Sequence, residues 1–195
     1  MRHLMSAMFL GYTELLPLVA AGAICLLAAM NDITAPSVSL EGRNLWLIQV
    51  LPVSGKQVLM AKLQLHLLLT LVPAAVLTAA VEWVLQPGWA FAIAIPVVVV
   101  LYVLVMAAFG LFVNLHMPNL HWTSEIIPIK QSMGVMISLF GGWVAVVVLA
   151  GLYYLLAGIL SPLVYLLCTA VLLMVLAVIL LSWLQTRGAR MLETL

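Results

Sequence analysis

Residues 39–62 read SLEGRNLWLIQVLPVSGKQVLMAK. This is the longest polar interruption in an otherwise apolar chain, and it holds Glu41, Arg43, Lys56 and Lys62. Its local code is directional. Ser54 followed three residues later by Gln57 fits a capping box, in which the serine hydroxyl accepts from the Gln57 N–H and the glutamine side chain reaches back. Val53 and Val58 flank that cap as a hydrophobic staple would. Pro52 disfavours a helical Leu51, so a shorter helix over residues 41–50 should end there. The stretch therefore predicts a short helix, a sharp corner and then a long helix.

What surrounds the corner sets the class. Hydrophobic residues make up 67% of the chain, charged residues 7%, and the mean hydropathy is +1.30. A soluble domain carries roughly 25% charged residues, so these values describe a polytopic membrane protein. The fold expected is an all-α membrane helix bundle of about five transmembrane helices with a short cytoplasmic coupling helix. The spans are read as 9–30, 63–85, 89–113, 133–157 and 161–184, in one domain covering 1–195. The coupling segment is 39–62, and a second cytoplasmic loop covers 114–132. The final stretch, QTRGARMLETL, reads as a polar tail.

Six of the seven basic residues, Arg43, Lys56, Lys62, Lys130, Arg187 and Arg190, fall on the side that five spans give to the first loop, the third loop and the tail. By the positive-inside rule that side is cytoplasmic, which puts the N-terminus outside. Arg2 departs from the pattern. A net charge of +1 gives no reason to expect nucleic acid.

Few residues suggest chemistry. Cys25 and Cys168 lie in apolar runs and read as small packing residues. His116 and His121 flank Pro118 with only Glu125 to join them, too few ligands for a metal site. The sequence SGKQ at 54–57 has the look of a phosphate loop. The motif G-x-x-x-x-G-K-[ST] would need glycine at Val50 and Ser or Thr at Gln57. Glu14 lies inside the first span, where a carboxylate is costly unless paired or near water.

The pattern S-x-S-L-E-G-R-N-L-W at 37–46, the L-P-V-S corner at 51–54 with Ala61 and Lys62 behind it, and NLHMPNLHWTSEIIPIKQS at 114–132 together resemble the permease subunits of the ABC-2 class of ATP-binding-cassette transporters, in particular a bacterial group of ABC exporters. In the second stretch the matching residues are Pro118, Trp122, Thr123, Glu125, Pro128, Lys130, Gln131 and Ser132. A family member would have six spans, so this chain resembles one from its second span onward, the C-terminal part of a permease.

The resemblance implies a permease subunit of an exporter in the bacterial plasma membrane. It further implies no enzymatic activity and no cofactor in this chain, ATP and Mg being held by a partner ABC ATPase in the cytosol. Partners would be that ATPase, the lipid bilayer and a second permease half or copy. The docking residues would be Glu41, Arg43, Trp46, Leu47, Pro52, Ser54 and Gln57, with Trp122, Glu125 and Lys130 from the second loop. Two other readings stay open: an intramembrane enzyme using His121 and Glu125 as acid and base, and a non-catalytic assembly scaffold.

Overall fold

Ser54 opens the longest helix. Its backbone is extended (φ −79°, ψ 148°), its hydroxyl accepts from the Gln57 N–H, and its own N–H donates to Gln57 Oε1 at 2.9 Å, so the capping box forms as the sequence predicts. The computed structural model describes residues 15–195 apart from 51, 125 and 131. In chain order the helices are α1 (Leu16–Ala29), a 3-10 helix (Ser39–Asn44), α2 (Leu45–Val50), α3 (Gly55–Leu85), α4 (Trp89–His116), α5 (Ile126–Lys130), α6 (Met133–Leu156), α7 (Pro162–Trp183), a π turn (Leu184–Gly188) and α8 (Ala189–Thr194). No strand occurs among the described residues.

Punctuation is local. α3 ends at Gln86, a left-handed residue (φ 43°) whose N–H returns to Glu82 O at 2.8 Å, and Pro87 and Gly88 then prevent its continuation. Pro162 occupies the first turn of α7 behind a Ser161 cap. The short helix expected over 41–50 is not continuous: Gly42 takes φ 49° and ψ −122° and kinks the 3-10 helix within its own length, and α2 follows from Leu45. Only a glycine adopts that pair of angles cheaply.

Among the described residues four helices are long and apolar enough to cross a membrane: α3, α4, and those ending in α6 and beginning with α7. α1 shows 14 residues, and the first part of the span expected at 9–30 lies outside the described residues. α4 is the axis of the bundle, packed against α1, α3, α6 and α7. Half of its most apolar window is buried, against 17% for α3, so α4 is enclosed by protein while its neighbours turn apolar faces outward. On α6 and α7 those faces include Val144, Val147, Val148, Val171, Val175 and Val178. Exposed apolar faces on helices of this length suit hydrocarbon, where a helix satisfies its own backbone. Trp83 and Trp89 stand exposed on either side of the α3–α4 turn, as interfacial tryptophans do.

The core has two parts. One, at mid-bundle, gathers Ile24, Cys25, Ile95, Val99, Tyr102 and Leu166. The other lies at the charged end, where Val38, Leu59, Leu111, Leu115, Leu184 and Leu192 meet. The stretch read as a polar tail thus contributes the fully buried Leu192 and, together with Leu184 before it, folds as the π turn and α8 against α3. Its charged residues hid an amphipathic helix: Arg187 and Arg190 face out while Leu184 and Leu192 face in.

A candidate functional site at the polar end

Asn114, in the last turn of α4, is fully buried, and its amide organises the connector that follows α1. Its Oδ1 accepts from the Val38 N–H (2.7 Å) and the Ser39 N–H (3.1 Å), and its Nδ2 donates to Ser39 Oγ (2.7 Å). Ser39 Oγ also accepts from the Asn119 N–H at 2.9 Å, and the Trp122 indole N–H donates to Ser39 O at 2.8 Å. Ser39 is therefore the point where the first and third loops are tied. Trp122 lies so close over Gly42 that a Cβ there would stand 2.9 Å from its Nε1. The sequence gives no sign of this tie, since its members lie 75 to 83 residues apart.

A second tie comes from α3. Lys62 Nζ donates to Ser37 O at 2.8 Å and pairs with Glu41 Oε1 at 2.5 Å, the pair being partly shielded from solvent. The Glu41 carboxylate, expected at a docking surface, is engaged inside the chain. Gly55 is pinned from the other side: its N–H donates to Glu193 Oε1 at 2.9 Å, and a Cβ on it would lie 2.5 Å from Ala189 O.

Held in this way, α2 presents an apolar edge at the charged end. Leu45 is buried and anchors it, while Trp46 is 59% exposed and Val50 73%, with Leu47 and Val53 also exposed. Pro52, Ser54 and Gln57 are exposed at the corner, and Lys56, Arg187 and Arg190 stand exposed at the same end. Arg43 and Lys130 belong to the 3-10 helix and to α5, whereas Glu14 and Glu125 lie outside the described residues. His116 is spoken for by Phe112 O (2.8 Å) and stacks on Trp183, while His121 is exposed. Among the described residues no group of three or more His, Cys, Asp or Glu could hold a metal ion.

Long apolar helices around a buried axis, with charges and a protein-braced corner collected at one end, define a polytopic helical membrane protein. A family model described as "Putative ATP-binding cassette" matches residues 5–184, and the chain belongs to that family. No match is found among curated proteins or solved structures.

Membership corrects four expectations drawn from the sequence. The family is described as an ATP-binding cassette and not as an ABC-2 permease, so the resemblance to ABC-2 permeases and the permease-subunit function do not stand. The expectations that the chain is not an enzyme and that it binds no nucleotide are overturned by the same finding. The likeness misled because membrane-embedded helices and a proline corner are features of layout, which differently described families can share.

A nucleotide has to be tested against the residues present. The 54–57 corner is where the sequence comes nearest to a phosphate loop, and it does not fit a phosphate. The Gly55 and Gln57 N–H groups, which a phosphate would need, are given to Glu193 and to Ser54. A carboxylate oxygen already sits against the first turn of α3, where it would repel an anion.

Proposed function

We propose that this chain works in a membrane as a member of an ATP-binding-cassette transport system, with its charged end as the surface at which it meets another protein of that system. The observation that supports this reading is α2: a two-turn helix braced by Asn114, Ser39, Trp122 and the Lys62–Glu41 pair, yet turning Trp46, Leu47 and Val50 to the outside. A rigid mount under an exposed aromatic and aliphatic edge suits force-bearing contact with another protein, since interface anchors are often aromatic and gain most when already ordered.

The partner proposed for that edge is a cytosolic ABC ATPase subunit, with Arg43, Trp46, Leu47 and the 52–57 corner in the contact and Trp122, Glu125 and Lys130 beside it. The chain would lie in a bacterial plasma membrane with five spans, the N-terminus outside and the C-terminus in the cytosol, paired with a second copy or a similar chain. The exposed Lys56, Arg187 and Arg190 favour that orientation.

The test is a photo-reactive amino acid in place of Trp46, activated in native membranes with and without ATP. A cross-link to a protein carrying ABC ATPase sequence, with a yield that changes on adding ATP, is the expected result. Cross-links to lipid alone, or a protein adduct indifferent to nucleotide, would overturn the reading.

A further inference from the structure

The connector between α1 and the 3-10 helix carries a carboxylate that none of the ties above uses. Asp32 enters the bundle beside α4, where Gly110 has no side chain. A Cβ on Gly110 would run into Thr34 Oγ1 and would stand 3.2 Å from Asp32 Oδ1, so the missing methyl is what admits these two oxygens.

Around them the bundle is polar well inside its surface. From α3, His66 is 1% exposed and its Nδ1 lies 3.4 Å from Thr34 Oγ1; one turn further on, Thr70 Oγ1 accepts from Asn31 Nδ2 at 2.7 Å. From α6, Ser138 is 0% exposed and brings its hydroxyl to Asp32. Three buried atoms in this group, Asp32 Oδ2, Ser138 Oγ and His66 Nε2, have no hydrogen-bond partner.

Asp32 as a residue is partly buried, but its Oδ2 is shut off from solvent without a partner, and a charge held there is costly. Among the described residues the salt bridge is that of Lys62 with Glu41, and it does not include Asp32. The titratable group that α3 brings to this cluster is His66, which lies against Thr34; Gly110 of α4 and Ser138 of α6 bring no charge. On its own connector, Asn31 is neutral and the Ala35 N–H favours the ionised form. Burial outweighs the Ala35 and Ser138 contacts and pushes the Asp32 carboxyl up to about 6.

We propose that Asp32 is a proton-binding site inside the bundle, which holds a proton while α6 is seated against the 31–38 connector and releases it when that seat opens. The protonated carboxyl can donate to the Ser138 oxygen, which meets two of the three unpartnered atoms at once. The ionised form can accept from the same hydroxyl, but burial disfavours its charge more than that contact favours it, so ionisation favours separation of α6 from the connector and entry of water. The proposal does not depend on any partner at the charged end.

The folded chain keeps this proton at pH values where the unfolded chain has released it. Asp32 therefore makes folding less favourable as pH rises from about 4 to about 6, with no further change above that range.

The experiment is labelling of the full chain in membranes with a hydrophobic carbodiimide, which modifies protonated carboxyls, read by peptide mass spectrometry. Asp32 should be labelled at pH 5.5, and labelling should fall about tenfold per pH unit above the midpoint. Asp32→Asn should lose the adduct. Ser138→Ala, which removes a contact that favours the ionised form, should move the midpoint upward, a change that a purely structural serine would not cause. Absence of the adduct, an adduct independent of pH, or an unmoved midpoint in Ser138→Ala would overturn the proposal. Protection by sodium or potassium chloride at fixed pH, with choline chloride inert, would also overturn it in favour of a metal cation at the same oxygens.

Discussion

Single residues hold the charged end together, and two of them make sharp predictions. Replacing Asn114 with alanine leaves the Val38 and Ser39 N–H groups buried without an acceptor, a loss of about 3 kcal/mol in detergent-solubilised unfolding. Its expected signature is loosening of the 3-10 helix rather than of the mid-bundle core. At Gly42 an added methyl meets both an unfavourable φ of 49° and the Trp122 indole. Gly42→Ala should cost about 2 kcal/mol in backbone strain alone, and more with the clash. In a Trp122→Ala background the clash vanishes and only the strain remains, so a double-mutant cycle should give a non-zero coupling between these two positions. Additive effects would mean that the indole does not press on Gly42. Neither contact was legible in the sequence. Asn114 reads there as the first residue of a loop, and nothing in a lone asparagine says which connector its amide will bind.

At the scale of elements the sequence spoke clearly wherever the cause is local. The Ser54 cap, the corner at Pro52, the stop at Pro87 and Gly88 and the start at Pro162 are written within a few residues of where they act, and so are the apolar lengths of α3, α4, α6 and α7. The π turn and α8 were missed because their structure depends on α3 as a partner: without it, QTRGARMLETL is too short and too polar to stand as a helix. This difference can be measured by hydrogen exchange. Ser54→Ala should cost about 1 kcal/mol and speed exchange in the first turn of α3 alone. Gly55→Ala should do more, because its Cβ would stand 2.5 Å from Ala189 O, and it should speed exchange across residues 189–194 as well. Equal footprints for the two variants would show that α8 is not seated on that turn.

For the whole molecule, the class of fold was legible from composition and the family was not. A hydrophobic bundle announces itself by the scarcity of charge, but the Asp32 and Ser138 group and the Lys62–Glu41 pair arise only once helices distant in sequence are packed. The proposed orientation rests on charge placement and is open to direct test. A single cysteine at position 56, in a chain with Cys25 and Cys168 replaced by alanine, should react with a membrane-impermeant thiol reagent from the cytosolic side only. A cysteine at position 88 should react only from the opposite side. Reaction of position 56 from outside would reverse the proposed topology. The contact between Gly55 and Glu193 also bears on biosynthesis. These residues are 138 apart, so the first turn of α3 leaves the ribosome and enters the bilayer long before the carboxylate that completes it has been synthesised. The corner is therefore assembled late, after translation has passed the seventh helix, and a nascent chain stalled before Glu193 would carry an unfinished hinge.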